Sequence, residues 1–203
     1  MKKTKRISSL LVTLAVAAGL FVGCGNNTKE EKAKEFTPIT MEDREGTEFT
    51  ITKEINRIVS TAPSNTEILM GLGMGDKLVA IDNYSTDIEG VNKDLPQIDM
   101  MNADIEAIIA LNPDIIIAAE HNRGGGDDPY KLIKEAGIPV VYIPSSNSID
   151  GIYKDIEFIA DVVDKEAEGK AIVDNMKSEI AKIKEIGDKI TDKNSVYFEI
   201  GAA

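Results

Sequence analysis

The run Arg57-Ile58-Val59-Ser60-Thr61-Ala62-Pro63-Ser64-Asn65-Thr66-Glu67-Ile68-Leu69 decides the fold. Residues 58–61 are apolar and β-branched enough for a buried strand. Residues 65–72 have the content of a helix, and Ser64 with Glu67 three positions later forms a capping box that would start it. A helix beginning directly after a strand turns the positive end of its dipole toward that strand's end. The same alternation continues downstream, with strands expected at 78–81, 114–118 and 139–143 and helices at 104–111 and 130–135.

Unbroken Ile/Val runs separated by helices are what a parallel sheet covered on both faces requires. The expected class is therefore α/β, a Rossmann-like parallel-sheet lobe. Crossovers between parallel strands are right-handed, so the strand C-termini share one edge, and open α/β sheets bind ligands there. Four loops then form one rim: 62–64, 83–85, 119–123 and 144–147. They carry the candidate ligand contacts Pro63, Ser64, Asn83, Tyr84, Ser85, His121 and Arg123, with Asn65 directly after the first loop.

Upstream, partial polar–apolar alternation over 39–53 surrounds Gly46 and reads as a β-hairpin. Downstream, Ile152, Ile156, Ile159 and Val163 mark one amphipathic helix. Ile172, Met176, Ile180, Ile183 and Ile186 mark a second, which Gly187 is expected to stop. Residues 195–200, Ser-Val-Tyr-Phe-Glu-Ile, read as a strand opening a further lobe. A strand needs a partner, so the lobe begun here is expected to be truncated.

The amino terminus speaks for export. Lys2, Lys3, Lys5 and Arg6 precede an uncharged apolar run over 10–22, too short for a span of roughly 20 residues and suited to a signal peptide. It ends in Leu20-Phe21-Val22-Gly23-Cys24, which resembles a bacterial lipobox, with Phe21 bulkier than that pattern usually carries. Cys24 is the chain's one cysteine, which excludes an internal disulfide framework and reads as a lipidation site. Two acyl chains there would give a stable membrane anchor. The expected organisation is a leader at 1–23, a lipidated tether at 24–37, a ligand-binding lobe at 38–163, a connecting helix at 164–190 and the first strand of another lobe at 191–203. The net charge of −12 opposes binding to nucleic acid.

On these residues the chain resembles the iron-complex and cobalamin-binding family of ABC importer proteins. The strand–helix run at 57–69 carries the likeness. So does 102–117, Asn-Ala-Asp-Ile-Glu-Ala-Ile-Ile-Ala-Leu-Asn-Pro-Asp-Ile-Ile-Ile, and the hairpin adds to it. The resemblance implies two α/β lobes joined by one long helix, with ligand held between them and passed to an ABC permease with its ATPase. It implies a transported small-molecule metal chelate (siderophore, haem or cobalamin), no resident cofactor and a monomer. Ligand contacts carried over from the cobalamin-binding branch fall on Ser64, Tyr84 and Met100, the last with Met101 beside it. Met100 stands where that branch has tryptophan, and a thioether cannot stack as indole does. Glu106 matches the glutamate that docks on the permease.

His121, the single histidine, reads as an exposed loop residue or as a ligand contact, including an axial bond to haem iron. One histidine does not make a direct zinc or manganese site. Gly71-Leu72-Gly73-Met74-Gly75 follows a helix rather than a strand, so it ends that helix and holds no dinucleotide phosphate. No catalytic constellation is present, and no enzyme activity is expected. A surface sensor or adhesin lobe on the same fold is the alternative to import.

Overall fold

The strand-forming runs lie side by side because each presents apolar residues to both faces. In the strand Ile115–Ala119, Ile115 and Ile117 enter one core while Ile116 and Ala118 enter the other, and all are fully buried. The computed structural model describes residues 36–99, 102–123, 128–192 and 194–198. In chain order the elements are β1 (Ile39–Glu42), β2 (Glu48–Ile51), β3 (Ile58–Ser60), α1 (Pro63–Gly71), β4 (Leu78–Asp82) and β5 (Gln97–Ile98). There follow α2 (Ile105–Ala110), β6 (Ile115–Ala119), α3 (Lys131–Glu135), β7 (Val140–Ile143), α4 (Ile149–Val162) and α5 (Glu166–Asp188).

β1 and β2 form the expected antiparallel hairpin, with Gly46 in the left-handed region (φ 80°) at its turn. The other five strands make one parallel sheet in the order β5-β4-β3-β6-β7. The chain starts that sheet in the middle at β3, builds outward to β5, then returns to the other side of β3 with β6. The order therefore reverses between β3 and β6, where helices leave toward opposite faces and a crevice opens. α1, with Leu72 just after it, and α4 cover one face through Leu69, Leu72 and Ile159; α2 and α3 cover the other through Ile108 and Ile133. This is the α/β parallel-sheet class expected from sequence. β5 was not foreseen, since two residues are too few to show a period.

Three local readings are corrected. The helix after β3 starts at Pro63, with extended Ala62 as its cap and no side-chain cap bond, so Ser64 and Glu67 do not form the capping box. Proline suits the first helical position, where its fixed φ fits and its missing N–H is not needed. Gly187 does not stop α5, which continues to Asp188. Asn194–Phe198 lie outside any strand, and Val196, Tyr197 and Phe198 are exposed; among the described residues no strand lies beside them. Glu199 and Ile200 lie outside the described residues, as do residues 1–35, which hold the expected leader, the lipobox-like run and Cys24.

Asp114 ties the start of β6 to the segment entering β3. Its carboxylate accepts from the amides of Asn56 and Arg57 at 2.8 Å each and pairs with Lys53 at 2.5 Å. Burial alone would raise this carboxyl, but those hydrogen bonds outweigh it and hold it below its ordinary value of 3.8. A depressed folded-state pKa means stabilisation that is complete above the unfolded value and is lost as the pH falls through the folded one. Asp114→Asn should cost about 1 kcal/mol at neutral pH. Urea unfolding repeated below pH 4 should show the variant losing less stability on acidification than the wild type.

Candidate functional site

Because β3, β4, β6 and β7 are parallel, the turns leaving them stand on one edge: 62–64, 83–85, 119–123 and 144–147. At about 4.8 Å per strand, the four turns span about 14 Å from the Tyr84 end to the Pro144 end. On the α1/α4 side this edge opens into a cleft of about 660 Å³. Ser64, Asn65, Ala119, His121 and Pro144–Ser146 line it from the strand ends. Glu67 and Ile68 of α1, Ile152, Asp155 and Ile156 of α4, and Ile172 and Met176 of α5 make its walls. An apolar wall with a few polar groups at the mouth is the usual make-up of a small-molecule site.

Buried polar links hold the rim together. Asp82, fully buried, accepts from the Tyr84 amide at 2.9 Å and from the Ser85 hydroxyl. Ser85 lies 3.0 Å from the Thr66 hydroxyl, which in turn lies 2.8 Å from Ser60, so one buried chain of hydroxyls joins the end of β3, α1 and the loop after β4. A second link joins β3 to the loop after β6: Thr61 donates to Asn122 Oδ1 at 2.7 Å, and the Ala119 amide donates to the same oxygen at 3.1 Å. A site held this way loses little entropy when a ligand arrives.

The candidate residues divide. Ser64 and His121 are exposed and line the cleft. Asn65 lines it too, but is fully buried: its Nδ2 reaches the Ile117 carbonyl at 3.4 Å, while Oδ1 has no protein partner. Tyr84 stands on the same edge, two loops from His121, with 69% of its surface exposed; Asn83 is exposed beside it. Ser85 is a correction. Its hydroxyl is fully buried and engaged by Asp82 and Thr66, so it braces the Tyr84 loop and does not face a ligand. Pro63 is half-buried at the head of α1 and does not line the cleft.

Arg123 is likewise turned from the cleft. Its guanidinium lies 4.1 Å from the centre of the Tyr142 ring. The Tyr142 hydroxyl donates to Asp128 Oδ1 at 2.6 Å, and burial together with that carboxylate pushes the phenol far above its ordinary value. Burial would also raise Asp128, but hydrogen bonds from Lys134, Tyr142 and the Tyr130 amide hold it below the usual carboxylate range. Glu106 is exposed in the first turn of α2, where Asp104 caps the helix by accepting from the Ala107 amide at 3.0 Å. Met100 and Met101 lie outside the described residues. Among the described residues, no three His, Cys, Asp or Glu side chains are grouped to hold a metal ion.

The cleft's walls on α4 and α5 were not foreseen. Their Ile152–Ile156 and Ile172–Met176 spacing announces a buried helix face, but the period cannot tell a core from a cavity.

A profile of the family described as periplasmic binding protein matches residues 58–202. The ABC transporter substrate-binding lipoprotein YvrC of Bacillus subtilis (strain 168) is 35% identical over 97% of this chain and 64% of its own length. The vitamin B12-binding protein of Vibrio campbellii (strain ATCC BAA-1116) is 30% identical over 71% of this chain and 51% of its own length. Among solved structures, the periplasmic haem-binding protein RhuT of Roseiflexus sp. RS-1 superposes with a TM-score of 0.60 at 29% identity, covering 68% of this chain and 52% of that one. The chain thus spans less than two thirds of the first of these relatives and about half of the other two. With the profile running from β3 past the end of α5, the chain belongs to the periplasmic binding protein family.

Proposed function

We propose that this chain is the ligand-capturing lobe of an extracytoplasmic binding protein that hands a metal chelate to an ABC importer. The carrying observation is the shared rim: four parallel-strand turns beside an apolar cleft at the point where the strand order reverses. The ligand class is an iron complex, haem or cobalamin, in keeping with what the Vibrio and Roseiflexus relatives are described as binding. Tyr84 offers an exposed ring to a planar ligand, and His121 offers an imidazole at the mouth of the cleft. Ser64 lies between them. No bond of the ligand is made or broken. Release goes to a permease and its ATPase, with Glu106 on α2 as the docking carboxylate. Cys24 carries the lipid that holds the protein, a monomer, at the outer face of the cell membrane.

Titration of the protein with hemin, cyanocobalamin, a ferric hydroxamate and a ferric catecholate tests this reading. Saturable binding to one of the four is expected, and failure of all four at micromolar concentration sinks it. Tyr84→Ala should weaken the bound ligand about 2- to 10-fold, as loss of one aromatic contact does. Because the ring is mostly exposed, its thermal midpoint should stay within a degree or two of wild type. An unchanged affinity would remove Tyr84 from the site.

A further inference from the structure

The hairpin β1–β2 precedes the segment matched by the family profile, yet its turn is bonded to Asp155, a residue that lines the cleft. Two consecutive turn residues hold the elements that flank the rim loop 144–147, Asp43 the strand before it and Arg44 the helix after it. On the strand side, Asp43 is buried and its Oδ2 accepts from the amide of Tyr142 at 3.3 Å, two residues before Pro144. β7 is the edge strand of the sheet, and this bond covers one of its outward donors. On the helix side, Arg44 Nε donates to Asp155 Oδ1 at 2.9 Å, while the hydroxyl of Ser146 donates to Asp155 Oδ2 at 2.5 Å.

Asp155 sits on α4 one turn beyond Gly151, and Ser146 is lodged against both. A Cβ at Gly151 would lie 2.8 Å from Ser146 Oγ and 3.0 Å from Ser146 Cβ, so glycine is what lets the loop lie so close to the helix. Asp155 and Ser146 both line the cleft, whereas Arg44 does not. The Asp155 side chain is 7% exposed, and Arg44, at 24%, supplies its cation. A nearly buried carboxylate left without that cation gains by turning toward water, and it would draw Ser146 with it. The contact joins residues 111 apart in sequence.

We propose that Arg44 is a positioning residue for the ligand cleft: acting through Asp155, it sets the rim loop that carries Pro144, Ser145 and Ser146. This rests on the binding function above, and makes the hairpin a working part of the half-site.

The test compares Arg44→Met, which keeps the length of the apolar stem, and Arg44→Lys, which restores a cation, with wild type. Amide hydrogen exchange and titrations with hemin and cyanocobalamin supply the readouts. In Arg44→Met, exchange of amides 145–148 should rise about tenfold while those of Ile115–Ala119 stay unchanged, as expected for the loss of a charge-assisted bond that acts locally. Affinity for whichever probe the wild type binds should fall about tenfold, and Arg44→Lys should recover most of both effects. The proposal is overturned by unchanged exchange at 145–148, by equal acceleration across β6 (a general loss of stability), or by unchanged affinity despite a loosened loop. If wild type binds neither probe, the binding function fails for those ligands, and the exchange data still decide whether Arg44 sets the loop.

Discussion

Gly169→Ala should destabilise the lobe by about 1–3 kcal/mol, the cost of forcing atoms into a packed interface. α4 and α5 approach so closely at this point that a Cβ on residue 169 would lie 2.4 Å from the Cβ of Ala160. Neither is the free end of a flexible side chain, so the helices themselves must separate. The opposite sign is expected at Gly187 on the same helix, where an added Cβ meets nothing within 4 Å. There, alanine should stabilise by about 0.5 kcal/mol or less, because glycine is a poor helix former but Gly187 stands in the last turn of α5. Paired urea melts of the two variants check both signs. The first should also weaken ligand binding, since α5 carries the Ile172 and Met176 wall of the cleft.

Asp82→Ala should cost about 1–3 kcal/mol, because it removes the acceptor of the Tyr84 amide and leaves the buried Ser85 hydroxyl with Thr66 alone. Its effect on binding separates positioning from contact. If Asp82 serves the site by holding Tyr84 in place, its affinity loss and that of Tyr84→Ala should not add when the two are combined. Full additivity in the double-mutant cycle would mean that the buried chain from Ser60 to Asp82 supports the fold without orienting Tyr84.

The parallel sheet was legible because its information is local. Ile115–Ala119 can be buried on both sides only between two helical layers, and the turn residues after each strand then share an edge regardless of strand order. What stayed hidden depends on partners distant in sequence. Ser64 and Glu67 have the spacing of a capping box, but Pro63 takes the first helical position ahead of them. Ser85 looks like any small rim residue until Asp82 and Thr66 close around its hydroxyl. Arg123 stands in a rim loop, but the Tyr142 ring holds its guanidinium. Gly169 carries no mark in sequence that sets it apart from other helix glycines, and only the packing of α4 against it makes it obligatory. The reach of Arg44 from the hairpin to Asp155 has no signature in sequence at all.

The ligand is expected to bind at one edge of the sheet, over the cleft that opens there. Amide hydrogen exchange with and without saturating hemin, cyanocobalamin or ferric siderophore tests it most directly. Protection is expected to concentrate together at residues 64–66, 83–85, 119–123 and 145–147. Protection concentrated instead at the opposite ends of the strands, around 55–57, 76–78 and 112–114, would contradict it.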